Sequence, residues 1–188
     1  MLVWRTSMLA GVVATICWLD KITVWEESVI IGIDPGLTGA VSFLRDISFT
    51  IYNIYDMPVM AGSGKRQQVN AAELTKIFQE AHREYATVKK AENIIVYLER
   101  VSAMPGQGVS GMFSFGCSYG IVLGVTAALG YSVHLVTPQS WKYRAGLIGK
   151  EKDSARAMAQ LLYPGADLAR KKDIGRADAI LIARFGDG

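Results

Sequence analysis

Four acidic residues stand at positions where an unpaired carboxylate is costly. Asp34 and Glu99 each end an apolar, strand-like run, and Asp178 lies inside the apolar run 177–183, with Asp173 five residues before it. Burying a lone carboxylate is expensive unless it is paired or binds a metal. Carboxylates that converge from separate elements can hold the divalent ions that hydrolyse phosphodiester bonds. The set of four therefore predicts a metal site, more specifically than any one member does.

Each carboxylate also has a structural interpretation. Asp34 could cap the glycine turn that follows it, and Glu99 could pair with Arg100. Asp173 could be the N-cap of the last helix. Exposure to solvent explains Asp178 poorly, because its neighbours are strongly apolar.

Composition suits one intracellular globular domain. The chain has 188 residues, a formal net charge of +3 and a pI near 8.8. Residues 142–176 carry nine Lys or Arg against four acids, which favours either a phosphate-binding surface or a solvated helix face. The two cysteines and two histidines form no cluster, so neither a zinc site nor a disulfide framework is expected.

Residues 1–28 stand apart from the domain pattern. The stretch 8–19 is mostly apolar but too short to span a bilayer. Three interpretations remain open: a weak signal peptide, an organellar targeting segment, or a translation start placed too far upstream, which the clean start of the pattern at Val29 favours. The fold is therefore predicted for residues 29–188, with no membrane segment in the mature domain.

The order of elements predicts an α/β fold with a mixed five-stranded sheet and helices on both faces. A hairpin-type start of three strands is followed by βα units. Asn70 is a predicted N-cap, and Gly130 a predicted helix end. The predicted strands are 29–33, 40–44, 47–55, 93–98 and 131–136, the predicted loops are 57–68 and 104–111, and the predicted helices are 71–88, 113–129, a short one from Pro138, 150–163 and 173–185.

Five motifs, in this order, resemble the RuvC family of Holliday junction resolvases, and most of all its phage-type and chloroplast members. They are residues 31–40, 96–99, 116–124, 136–142 and 171–183, and the resemblance covers about residues 29–186. It implies a ribonuclease H-like fold. One departure from the bacterial pattern is Gly175, which stands three residues before Asp178 where an aspartate is usual. The five-residue spacing from Asp173 resembles the chloroplast and phage-like members.

The resemblance implies a crossover junction endodeoxyribonuclease acting in DNA recombination and repair. Asp34, Glu99, Asp173 and Asp178 would hold two Mg²⁺ or Mn²⁺ ions that activate a water for in-line attack, leaving a 5′-phosphate and a 3′-hydroxyl. No protein general base is assigned, because the motifs contain no histidine. Paired symmetric nicks in a four-way junction imply a homodimer, in which the small-residue helix 116–128 could pack.

Candidate DNA contacts lie on two segments. Residues at the start of the helix after the glycine-rich loop could wedge into an opened junction or belong to the core, whereas Trp141 is predicted to be core. The basic candidates would bind phosphates. The contacts predicted are Met112, Phe113, Phe115, Lys142, Lys150, Arg170, Lys171, Lys172 and Arg176.

Three alternatives remain open on sequence alone. An actin-like or sugar-kinase-type ATPase fragment would use Asp34, Gly36, Thr38 and Gly39 to bind phosphate, although no second phosphate turn is found. A flap or RNA/DNA-hybrid nuclease on the same fold is the second. A non-catalytic junction-binding protein is the third, disfavoured by the four acids. The expected location is the cytoplasm or nucleoid, with organellar targeting by residues 1–28 as the alternative.

Overall fold

A five-stranded mixed sheet organises the chain. The computed structural model describes residues 28–45, 48–62, 66–85, 93–100, 102, 106 and 108–187, so the predictions for residues 1–27 lie outside the described residues. The elements are β1 Val29–Asp34, β2 Ala40–Arg45, β3 Ile51–Asp56, β4 Val59–Ala61, β5 Gln67–Val69, α1 Ala71–Glu84, β6 Ile94–Glu99, α2 Val109–Ala128, β7 Ser132–Val136, α3 Pro138–Arg144, α4 Ser154–Leu162 and α5 Ile174–Phe185.

The sheet order is β3-β2-β1-β6-β7, which confirms the predicted fold class. The first three strands are antiparallel, whereas β1, β6 and β7 run parallel. Ile33 pairs with Leu98, so the next residues along these strands, Asp34 and Glu99, end neighbouring strands at the same edge of the sheet. The carboxyl ends of parallel strands are where α/β proteins commonly build their sites.

Helices cover both faces, as predicted. On one face α1 and α2 pack on a core that includes Phe43 and Phe78. On the other face α3, α4 and α5 enclose Trp141, Ile180 and Leu181. The strands at the centre of the sheet are therefore apolar on both sides, and β1 is buried at each of its first five residues.

Several predicted boundaries were wrong. The predicted loop 57–68 contains a small hairpin, in which Val59 pairs with Val69 and Val69 is buried. The Pro and Gly residues of this segment predicted a loop, and no sequence pattern indicated the two three-residue strands. The strand predicted from residue 47 begins at Ile51, since Phe49 adopts a positive φ of 48° that breaks extended backbone.

Two helix starts also differ from the prediction. Helix α2 begins at Val109, inside the predicted glycine-rich loop, with Gly108 as its N-cap. Helix α4 begins at Ser154 rather than Lys150, because Gly149, with a φ of 72°, belongs to a preceding turn. The predicted cap Asn70 is confirmed, since its side chain accepts a hydrogen bond from the backbone N–H of Glu73.

Helix α2 is apolar but largely uncovered. Its buried residues are Ser118, Val122 and Thr126. Among the described residues it is the one helix whose length and composition would also let it cross a bilayer, a test that core helices pass as well. Within the described residues, most of the surface of this apolar helix is therefore left uncovered.

Candidate active site

Asp34 lies at the end of β1, where the chain turns towards β2. Its Oδ1 accepts a hydrogen bond of 3.1 Å from the backbone N–H of Gly36, so it does cap the turn. Burial nevertheless raises the pKa of Asp34, an effect opposed by that hydrogen bond and by the charges of Lys142 and Lys152. The turn-capping hydrogen bond therefore does not fully offset the desolvation of this carboxylate.

Glu99 ends β6 beside Asp34. Its Oε1 accepts a 2.9 Å hydrogen bond from the indole Nε1 of Trp141, and this is its described partner rather than Arg100. Burial raises the pKa of Glu99, the Trp141 hydrogen bond lowers it, and the charge of Asp34 raises it further. The repulsion between the two acids shows that they share one electrostatic environment.

Asp178 lies in the second turn of α5, which packs across β1 and β2. Its Oδ1 is buried and has no hydrogen-bond partner within the described part of the chain. Burial raises the pKa of Asp178 to about 7, and the charges of Asp34 and Glu99 add to the rise. A buried oxygen without a partner in a native fold calls for an explanation such as a bound ion or a catalytic role.

Asp34, Glu99 and Asp178, from β1, β6 and α5, thus lie near enough for their charges to interact. Their oxygens are the ligands that Mg²⁺ and Mn²⁺ prefer, and the orphaned Oδ1 of Asp178 fits such an ion. In the described residues no three acidic, histidine or cysteine side chains are drawn closely enough together to bind a metal as they stand. A bound divalent cation would offset the repulsion among these carboxylates.

Asp173 is not brought into this group. Its carboxylate is buried and paired with Arg170, whose guanidinium lies 2.7 Å from Oδ1 and whose backbone N–H donates to Oδ2 at 2.7 Å. The Arg170 hydrogen bond is the largest cause of a lowered pKa at Asp173. Asp173 occupies the N-cap position of α5, but its side chain caps no backbone N–H of that helix. A metal role for Asp173 would require Arg170 to release it, and that role stays a prediction.

The predicted basic residues fall into different environments. Lys142 acts electrostatically on Asp34, Glu99 and Asp178, and so lies beside the acidic group. Lys152 acts on two of these acids and was missed by the sequence prediction, although it belongs to the same basic segment. Lys150, Lys171 and Lys172 are exposed. Arg176 instead pairs with Asp56 at 2.5 Å and with Asp167 at 2.7 Å.

The predicted aromatic contacts lie on the first turns of α2. Phe113 is 71% exposed, whereas Met112 and Phe115 are half-buried. An exposed phenylalanine at the start of an apolar helix is available for stacking. The core interpretation therefore fails for Phe113, and its contact with DNA stays a prediction.

Comparison with known proteins places this geometry in context. No protein-family model matches the chain. A chloroplastic Holliday junction resolvase of Chlamydomonas reinhardtii is 38% identical over 95 residues, which span 49% of this chain and 11% of the relative. Among solved structures, Thermus thermophilus RuvC in complex with a Holliday junction substrate aligns with a TM-score of 0.54 and 17% identity, over 83% of this chain and 90% of RuvC. The chain has the fold of RuvC.

This RuvC-like fold and the similarity to the chloroplast resolvase confirm the predicted resemblance to RuvC-like resolvases. They favour it over the actin-like interpretation. A yeast mitochondrial Holliday junction resolvase, Ydc2, also aligns, with a TM-score of 0.44 and 18% identity over 86% of this chain and 78% of that chain. The chain spans only about a tenth of the length of its curated relative (11%).

Proposed function

We propose that this chain is a metal-dependent endonuclease that resolves Holliday junctions. The observation that carries the proposal is the buried Oδ1 of Asp178, which has no hydrogen-bond partner among the described residues and is affected by the charges of Asp34 and Glu99. The RuvC-like fold and the similarity to the chloroplast resolvase support a four-way DNA junction as the substrate. The same relative supports an organellar location as the alternative to cytoplasm or nucleoid.

The chain's own residues divide the work of phosphodiester hydrolysis. Asp34, Glu99 and Asp178 would hold the divalent metal, which we propose to be two Mg²⁺ or Mn²⁺ ions. When bound, such ions would supply activation of water and charge stabilisation of the leaving oxygen, and we propose 5′-phosphate ends as the products. Lys142 and Lys152 place positive charge beside the acids, where it would attract the scissile phosphate.

Junction resolution needs two coordinated cuts, so we propose a homodimer in which α2 packs against α2 of a second copy. Gly116, Gly120 and Gly124 lie four residues apart and are exposed, and a Cβ added at any of them would meet nothing within 4 Å. Residues at this spacing share one side of a helix, and glycines let two backbones approach closely. This open side supports a helix-to-helix interface about a two-fold axis.

Cleavage of a labelled synthetic junction tests the activity directly. The full-length chain is incubated with a four-way junction, a flap and a plain duplex, with Mg²⁺ and then with EDTA. We expect paired, symmetric, metal-dependent nicks in the junction, and none from the Asp34→Ala variant. Full cleavage by Asp34→Ala would overturn the proposal, and preferential cutting of the flap would move it to the flap nuclease alternative.

The dimer is tested separately by sedimentation. Gly120→Leu places a bulky side chain in the proposed interface, and Gln79→Leu is the matched control at an exposed position of α1. We expect Gly120→Leu to sediment as a monomer and to nick one strand without pairing, whereas Gln79→Leu remains dimeric. A wild-type chain that is monomeric when bound to a junction would contradict the dimer.

A further inference from the structure

Trp141, predicted to be a core residue, donates a hydrogen bond to an acid of the candidate site. Its side chain is fully buried, and its indole Nε1 donates to Glu99 Oε1 at 2.9 Å. Buried tryptophans usually find a partner for this N–H, and a backbone carbonyl would serve. Here the partner is a carboxylate at the end of a strand, in the group of acids proposed to bind metal. The predicted core role of Trp141 thus accounts for its ring but not for its hydrogen bond.

The helix that carries Trp141 is held at both ends. At its start the Thr137 side chain accepts a hydrogen bond from the backbone N–H of Ser140, which caps the helix. At its end the guanidinium of Arg144 donates to the backbone carbonyls of Phe185 and Gly186, at 2.6 and 3.0 Å. Phe185 and Gly186 lie at the end of α5, so these hydrogen bonds tie the helix of Trp141 to the helix of Asp178.

The same ring lies beside a second charged group of the site. Lys142 Nζ stands 5.1 Å from the centroid of the Trp141 ring, within the range of a cation–π contact. Lys142 also acts electrostatically on all three carboxylates. One buried indole therefore contacts an acid through its N–H and a base through its ring face.

We propose that Trp141 is a positioning residue, whose indole N–H occupies one oxygen of Glu99 and so holds the other oxygen ready for a metal ion. This inference rests on the proposed role of Glu99 as a metal ligand. Partners that orient a ligating carboxylate narrow the rotamers it samples, and their loss commonly weakens metal binding or activity. Trp141 itself need not touch the metal or the DNA.

The Trp141→Phe variant tests the proposal, because it keeps an aromatic ring and removes the N–H. Binding of Mn²⁺ to the full-length protein without DNA is measured by calorimetry, and junction binding is measured in EDTA. We expect the dissociation constant for Mn²⁺ to rise by about 10-fold or more. We expect junction affinity to stay within the error of the wild type, since Trp141 is buried. An unchanged Mn²⁺ affinity would overturn the proposal.

An isosteric replacement covers the case in which Trp141→Phe fails to fold. The other three tryptophans are Trp4, Trp18 and Trp25, so a Trp4→Phe, Trp18→Phe, Trp25→Phe chain has Trp141 as its only tryptophan. Growing this chain with benzothienylalanine puts sulfur in place of the indole N–H at the same volume. We expect the benzothienylalanine protein to bind Mn²⁺ more weakly than the same chain with tryptophan, as for Trp141→Phe. Equal Mn²⁺ affinity of the tryptophan and benzothienylalanine proteins would overturn the proposal. A wild-type protein that binds no Mn²⁺ at all would instead contradict the proposed function.

Discussion

Gly32 of β1 lies against the backbone of Ala179 of α5. A Cβ at Gly32 would overlap the carbonyl oxygen of Ala179 and would also collide with Ala183. Nearby, the Ser42 hydroxyl donates to the same Ala179 carbonyl at 2.8 Å. Asp34 is two residues after Gly32 and Asp178 precedes Ala179, so this close approach holds the two segments of chain that carry the carboxylates against each other.

Gly32→Ala is therefore expected to push α5 away from the sheet. We expect the free energy of unfolding to fall by about 1–3 kcal/mol, as for overpacking of a tight core, and Mn²⁺ binding to weaken with it. Urea denaturation and calorimetry measure the two effects. The matched control is Gly165→Ala, where an added Cβ meets nothing within 4 Å. A Gly32→Ala protein as stable as that control would show that the contact is not tight.

Asp178 and Asp173 should differ as metal ligands. Asp178→Asn removes a carboxylate whose Oδ1 is buried and has no partner among the described residues. We therefore expect Mn²⁺ affinity to fall by more than the ~10–100-fold typical of outer-shell changes. Asp173→Asn breaks the ion pair with Arg170, so we expect lower stability with Mn²⁺ affinity largely kept. Calorimetry on both variants decides the point. Equal loss of affinity in the two would support the four-carboxylate ligand set predicted from the sequence.

Stability without metal should depend on pH through Asp178. Its folded-state pKa of about 7 lies well above the ordinary aspartate value of 3.8, so the folded state binds the proton more tightly than the unfolded state. In EDTA the free energy of unfolding should therefore fall as pH rises from about 4 to 7, by at most about 1.4 kcal/mol per pH unit from this group. Asp178→Asn should flatten that decline, measured by urea denaturation across the range. If the free energy of unfolding of Asp178→Asn fell with pH as steeply as that of the wild type, the pH dependence would come from another group.

Arg176 is expected to act on stability more than on DNA binding. Its guanidinium is engaged by Asp56 and Asp167, which ties α5 to β3 and to the loop before the helix. We expect Arg176→Gln to cost about 1 kcal/mol, because both partners are largely exposed, and to leave the salt dependence of junction binding unchanged. Fluorescence anisotropy over a salt series measures the second effect.

Lys171 and Lys172 serve as the comparison for Arg176 in the junction-binding measurement, since both are exposed. If they contact phosphates, Lys171→Gln and Lys172→Gln should each weaken junction binding and lower the salt slope by about 1. If Arg176→Gln lowered the salt slope more than Lys171→Gln and Lys172→Gln do, Arg176 would be a phosphate contact, as predicted from the sequence.

Local sequence patterns determined much of this protein. Apolar runs rich in β-branched residues predict the five strands, and each ends close to a turn residue or an acid. The face of α1, with its cap at Asn70, also follows from periodicity alone. Asp34 and Glu99 were found because an acid at the end of a buried strand is costly, and a local pattern is enough to detect that cost.

Only the tertiary structure decided which groups meet. Asp173 is the N-cap of the helix that carries Asp178, yet Asp173 pairs with Arg170. Asp178 instead lies near enough to Asp34 and Glu99 for their charges to act on it. The hydrogen bond from Trp141 to Glu99 joins residues 42 positions apart in the sequence, and the ion pair of Arg176 with Asp56 joins residues 120 positions apart. Such contacts depend on how the helices pack on the sheet, and no local spacing encodes that.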